Sequence, residues 1–120
     1  MGYNSDSRRL LLTVVETRTF IGAAKECMTD EERLEAIMMI ADNPECGDLI
    51  PGGGGIRKVR FAIGGKGKSG GVRIIYYFHN PSVPVFLLTV FSKNERSNLA
   101  RAELNQLAEA AKVLVRKYGE

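Results

Sequence analysis

The sequence predicts an α+β fold, in which a small, twisted antiparallel sheet is packed by two N-terminal helices and one C-terminal helix. Three short runs rich in β-branched and aromatic residues follow one another between positions 56 and 91, joined by glycine-rich or proline-containing turns. Segments with helical spacing of apolar residues lie on both sides of these runs. The chain has 120 residues and no internal repeat, so we expect a single domain over residues 1–120.

The first half of the chain is predicted to form one strand and two helices. Residues 10–15 are apolar and β-branched, which is typical of a strand. A helix is predicted from about Thr19. A second helix begins at Thr29, because the sequence Thr-Asp-Glu-Glu has the spacing of a capping box and places acids at the positive helix end. The pair Asn43 and Pro44 ends this helix.

The second half is predicted to form three strands and a last helix. The strands cover residues 56–63, 71–78 and 83–91, and the turns between them are short enough for antiparallel hairpins. From about Asn98, apolar residues recur at the spacing of an amphipathic helix. No apolar run approaches the roughly 20 residues that a membrane helix needs. We therefore expect a cytoplasmic protein that does not enter a membrane.

Charge is distributed unevenly along the chain. The net charge is only +3, yet residues 49–94 contain seven basic residues and no Asp or Glu. A compact surface with one sign of charge attracts polyanions, and we expect this stretch to bind phosphate groups. The basic residues of the stretch are Arg57, Lys58, Arg60, Lys66, Lys68, Arg73 and Lys93.

Other residues that often carry chemistry give weaker indications. Cys27 and Cys46 are too few for a disulfide scaffold and match no zinc pattern, and one histidine, His79, cannot supply a pair of imidazoles. Residues 67–69 end like the phosphate-binding loop of NTPases, but Ala62 replaces the required glycine and a strand, not a helix, is predicted to come next. We therefore expect neither a metal nor another cofactor.

Alternation along the strands groups the cations. Lys58 and Arg60 share one face of the strand over residues 56–63, whereas Arg57 faces the other way and is expected to be structural. If Arg73 on the next strand faces the same way as this pair, three cations line one surface, with Lys93 at its edge. Such a surface suits phosphate contacts, although an ordinary solvated face of the sheet fits the charge composition equally well.

Three more residues complete the predicted RNA-binding set. Lys66 and Lys68 are expected at the tip of a glycine-rich hairpin, where they would contact an RNA backbone. Tyr77 shares a predicted face with Arg73 and offers a ring on which a base could stack.

Three segments of the chain together resemble the RelE superfamily of bacterial toxins, and within it the HigB-like branch. They are residues 55–61, 66–78 and 87–97. The resemblance implies a RelE/ParE-like fold and a ribosome-dependent mRNA endonuclease that cleaves messages in the A site without a metal, through the ribose 2′-hydroxyl. It also implies a cognate antitoxin that holds the toxin inactive, expected to be a helix-turn-helix protein.

The resemblance assigns roles by position. Lys58 and Arg60 match paired basic residues proposed as general base and electrostatic stabiliser, and Arg73 matches an arginine that clamps the scissile phosphate. A lysine crowded by cations gives up its proton more readily and could then accept one from the substrate.

The chain departs from RelE itself at two positions. Asn94 stands where RelE has an arginine, and Ala100 where RelE has a stacking tyrosine. Lys93 would then take over as a catalytic cation. Glu95 is a second candidate for the general base, and the alternative is that it begins a helix and pairs with Arg96 or with a strand cation.

Two other functions belong to different classes. A ParE-like toxin of the same fold would bind a protein target such as DNA gyrase, although such chains generally lack the concentrated basic strands found here. A degenerate homologue would bind RNA or a partner without cleaving.

Overall fold

The structure is a computed structural model that describes residues 12–64, 71–96 and 98–119. Within these ranges, five strands form one sheet in the order β1-β5-β4-β3-β2, and three helices complete the α+β fold that the sequence predicted. None of these helices is long and apolar enough to cross a membrane. The elements are β1 (Val14–Glu16), α1 (Arg18–Cys27), α2 (Asp30–Asp42), β2 (Asp48–Leu49), β3 (Ile56–Phe61), β4 (Val72–Tyr77), β5 (Val85–Ser92) and α3 (Arg101–Tyr118).

The sheet is mixed, not purely antiparallel as predicted. β3, β4 and β5 form the predicted antiparallel meander. β1, however, runs parallel to β5, with Val14 opposite Val85, because α1 and α2 carry the chain away from β1 over one face of the sheet. β2 is an additional edge strand that pairs with β3 and is too short for sequence periodicity to reveal.

Side-chain caps fix where the two N-terminal helices begin. The Thr29 hydroxyl accepts a hydrogen bond from the Glu32 backbone N–H (3.1 Å), and the Glu32 carboxylate accepts one from the Thr29 N–H (2.9 Å), which is the predicted capping box. α1 begins after Thr17, whose hydroxyl accepts from the Phe20 N–H and donates to the Leu87 carbonyl of β5. This contact ties the start of α1 to β5.

Two apolar clusters lie on opposite faces of the sheet. One packs α1 and α2 against the sheet around the fully buried Phe20, Ile40 and Ile74. The other packs α3 against the opposite face around Ile75 and Phe86. The helices therefore cover both faces, and the face under α3 also carries Lys58, Arg60 and Arg73.

Tyr76 fastens the segment between α2 and β2 to the sheet. Its hydroxyl donates to the Pro44 carbonyl (2.7 Å) and accepts from the Gly47 N–H (2.8 Å), and burial raises the pKa of Tyr76. Gly47 lies so close that a Cβ there would sit 2.9 Å from the tyrosine ring. Arg57 donates to the Gly47 carbonyl at 2.7 Å, so this cation serves the fold, as the sequence predicted.

Candidate functional site

The strand register places three of the predicted cations on one face of the sheet. Arg60 of β3 and Arg73 of β4 are direct cross-strand partners, so their side chains leave the sheet on the same side. Lys58 lies two residues before Arg60 on β3 and therefore shares that side. Together, Lys58, Arg60 and Arg73 form the cationic set.

The charges of the cationic set are not neutralised within the described part of the chain. Arg60 is exposed, and Lys58 and Arg73 are half-buried. No carboxylate among residues 12–64, 71–96 and 98–119 forms an ion pair with any of the three. Like charges directly opposite one another destabilise a sheet, so the two arginines cost the fold stability that a bound anion would restore.

Arg96 brings a fourth cation to this face. Phe91 of β5 is the cross-strand partner of Arg73, and the Arg96 guanidinium lies over the Phe91 ring, 4.5 Å from its centroid. The Glu103 carboxylate on α3 accepts two hydrogen bonds from Arg96, at 2.6 and 3.2 Å. These bonds raise the pKa of Arg96 and lower the pKa of Glu103. The ion pair that the structure shows for Arg96 is with Glu103, and the charge of Glu95 adds to the raised pKa of Arg96.

The sequence did not reveal this role of Arg96, because its partner lies seven positions along the chain, beyond the start of α3. The spacing falls outside the i,i+3 and i,i+4 pairs that helix periodicity picks out. Nothing in the residues around Arg96, such as Asn98 two positions later, marks it in the sequence as part of a site.

The two candidates for the general base lie on different sides of the sheet. Lys58 belongs to the cationic set, on the side of α3. Glu95 lines a cavity of about 310 Å³ together with Cys27 of α1 and with Val72, whose side chain packs on the α1 side. The Cys27 thiol has a raised pKa, chiefly because of burial and next because of the charge of Glu95. Glu95 therefore faces α1 rather than the cationic set.

Of the three lysines predicted to flank the cationic set, only Lys93 lies among the described residues. Lys93 is exposed and directly follows β5, and its N–H donates to the Gly71 carbonyl at 3.0 Å, which places it beside the start of β4. A role for the Lys93 side chain at the edge of the cationic set stays a prediction. Lys66 and Lys68 lie outside the described residues, and their contact with RNA stays a prediction.

Tyr77 lies at the far end of β4 from Arg73. Tyr77 lies four positions after Arg73, which corresponds to about 13 Å along a strand. The Tyr77 ring stacks on His79, with ring centroids 6.1 Å apart, and its hydroxyl lies 3.3 Å from His79 Nδ1. A Cβ at Gly55 would sit 2.9 Å from the tyrosine ring. Base stacking by Tyr77 stays a prediction, and any stacked base would lie well away from Arg73.

A second cavity, of about 510 Å³, lies near the end of β4 that carries Tyr77. Its walls include Leu12, Phe78 and Pro81, and the exposed His79, in the connection between β4 and β5, also lines it. It contains no member of the cationic set. In the described ranges, no group of three or more His, Cys, Asp or Glu side chains is arranged to hold a metal ion.

A comparison with protein-family models identifies a relationship that fits this geometry. Residues 12–119 match the family described as the RelE toxin of the RelE / RelB toxin–antitoxin system. The matched range contains every described strand and helix, and all of the cationic set. This family description implies an antitoxin as a partner of the chain.

Proposed function

The chain belongs to the RelE toxin family, and from that starting point we propose that it is a HigB-like, ribosome-dependent mRNA endonuclease of the cytoplasm. The observation that carries the proposal is the cationic set, in which Lys58, Arg60 and Arg73 share one face without a carboxylate partner in the described part of the chain. Such a surface costs stability unless it binds an anion, and the phosphodiester backbone of RNA is a polyanion.

The proposed reaction is an internal phosphoryl transfer within the mRNA. The ribose 2′-oxygen loses its proton and bonds to the adjacent phosphorus, while the bond from phosphorus to the 5′-oxygen of the next nucleotide breaks and that oxygen takes up a proton. The products are a 2′,3′-cyclic phosphate and a free 5′-hydroxyl. Negative charge builds up on the phosphoryl oxygens in the transition state, and preorganised cations stabilise it more than they stabilise the substrate.

The members of the cationic set divide these tasks. Arg73 clamps the scissile phosphate, because a guanidinium can donate two parallel hydrogen bonds to its oxygens. Arg60, directly opposite, adds positive charge at the same place. Lys58 is the general base, since it shares their face, whereas Glu95 faces α1.

The surroundings of the cationic set complete the proposal. Lys93 supplies a further catalytic cation, and Lys66, Lys68 and Tyr77 contact mRNA or ribosomal RNA. The antitoxin, a helix-turn-helix protein, silences the toxin either by covering the cationic set with a negatively charged or groove-filling segment or by keeping it out of the ribosomal A site.

The decisive experiment adds purified protein to ribosomes programmed with a defined mRNA and maps cuts by primer extension. Arg73→Ala should slow cleavage by roughly a hundredfold or more, as the loss of one transition-state donor does in other enzymes. Arg116→Ala, which removes an exposed arginine of α3, is the matched control and should cleave like the wild type.

Three results would contradict the proposal. Full cleavage by Arg73→Ala would remove the cationic set from the mechanism. Inhibition of DNA gyrase without mRNA cuts would indicate a ParE-like toxin instead. Binding to ribosomes or RNA without any cleavage would indicate a degenerate homologue.

A further inference from the structure

We propose that Asn98 is a positioning residue for Lys58, holding its amino group at a fixed point on the face that carries Arg60 and Arg73. The inference rests on the proposed function, because it assigns a task to Asn98 within the same site. Asn98 is not among the site residues predicted from the sequence, and it lies 40 positions from Lys58 along the chain.

The contact between the two side chains is short and chemically unambiguous. Lys58 Nζ donates a hydrogen bond to Asn98 Oδ1 at 2.8 Å. A lysine ammonium has only donors to offer, so the amide of Asn98 must turn its oxygen toward Lys58. In the neutral amine that a general base requires, one N–H still donates to Asn98, and the direction of the nitrogen lone pair is then restricted.

Contacts on both sides hold Asn98 in place. Two residues before it, Arg96 lies over the Phe91 ring and is bound through two hydrogen bonds by Glu103. The next residue, Leu99, packs against the apolar cluster under α3. Arg96 is therefore held by both β5 and α3, and Leu99 is held by the apolar cluster.

This attachment matters because a lysine side chain is long and flexible. Without a partner, its nitrogen samples many rotamers, and much of the time it lies away from a bound phosphate. Catalysis by a general base requires the nitrogen within hydrogen-bonding reach of the 2′-hydroxyl. A single acceptor on the protein side removes much of this freedom before the substrate arrives.

The competing interpretation is an ordinary surface hydrogen bond that affects only the stability of the fold. Asn98 is exposed, and exposed hydrogen bonds contribute little to stability. Replacing Asn98 distinguishes the two interpretations, because only the loss of a positioning residue changes the cleavage rate through Lys58.

The first test measures single-turnover cleavage of ribosome-bound mRNA at saturating protein. Asn98→Ala should lower the rate roughly tenfold, without a change in the protein concentration that gives half-maximal cleavage. In a Lys58→Ala background, adding Asn98→Ala should change the residual rate less than about twofold. Asn105→Ala, an exposed asparagine of α3, is the matched control and should leave the rate unchanged.

The second test is independent of any nuclease activity. Ammonium protons that donate to a fixed acceptor exchange slowly with water, so the Lys58 side chain should give a distinct signal in a proton–nitrogen correlation NMR spectrum of the lysine ammonium groups. Asn98→Ala should abolish this signal, whereas Asn98→Asp, which keeps an oxygen acceptor, should preserve it.

The results separate the proposed function from the role of Asn98. If the wild type cuts no mRNA, the proposed function fails, and the NMR signal still reports whether Asn98 holds Lys58. If the wild type cuts mRNA but Asn98→Ala cuts equally fast, or slows cleavage equally with and without Lys58, the role of Asn98 is refuted. An unchanged Lys58 signal in Asn98→Ala would refute it as well.

Discussion

Replacing Tyr76 by Phe should lower the free energy of unfolding by about 2–3 kcal/mol. The Tyr76 side chain is fully buried, and its hydroxyl makes two short hydrogen bonds to backbone groups, at Pro44 and Gly47. Each bond contributes about 1 kcal/mol, and the substitution also leaves the buried Gly47 N–H without its partner, which costs about 1 kcal/mol more. For a domain of this size, the melting temperature should fall by roughly 10 °C.

Urea unfolding at pH 7, followed by circular dichroism, measures this loss. Tyr77→Phe is the matched control, because Tyr77 is the next residue on the same strand, and its hydroxyl makes only a long, exposed contact with His79. The control should lie within about 0.5 kcal/mol of the wild type. The dependence of the free energy on urea concentration should be equal in all three proteins, since the same surface is exposed on unfolding.

Two outcomes would refute the reasoning. A loss below about 0.5 kcal/mol for Tyr76→Phe would mean that water replaces the hydroxyl at no cost. Equal losses of unfolding free energy in both variants would mean that the Tyr76 hydrogen bonds to Pro44 and Gly47 stabilise the fold no more than the exposed Tyr77 hydroxyl does. Amide exchange offers a local check, because the Gly47 N–H should exchange faster in Tyr76→Phe.

Two further predictions concern charges around the cationic set. Arg60→Thr should raise the free energy of unfolding by roughly 0.5 kcal/mol in urea titrations, since it removes a like charge opposite Arg73; lower stability would contradict this. Glu103→Gln should lower it by about 0.5–1 kcal/mol at pH 7, because Arg96 holds the pKa of Glu103 below its usual value. This difference should be complete above about pH 5 and disappear as the pH falls through the lowered pKa. A difference that persists at about pH 2 would exclude the ion pair as its cause.

The parts of the fold that depend on local chemistry could be predicted from the sequence. The capping box at Thr29 depends on residues within one helical turn, and the structure contains both of its hydrogen bonds. The meander depends on alternation and short turns, which also act between neighbours in the chain. The parallel pairing of β1 with β5 could not be predicted, because it joins segments 71 positions apart with no shared pattern.

The candidate site also has a part that could be predicted from the sequence and a part that could not. Alternation along β3 placed Lys58 and Arg60 together, and the hairpin register then brought Arg73 opposite Arg60. The contacts of Arg96 and Asn98 depend on how the segment before α3 lies across the sheet. That path is set by packing against the apolar cluster under α3, and no spacing in the sequence encodes it.

The position of β5 in the sheet has a consequence for the order of events during synthesis. β5 lies between β1 and β4, although it is the last of the described strands to be made. Until Val85–Ser92 has left the ribosome, β1 lacks its partner in the sheet, and Arg96 and Asn98 do not yet exist beside the cationic set. A chain that ends before β5 therefore lacks the strand that joins β1 to the rest of the sheet and pairs with β4 beside Arg73.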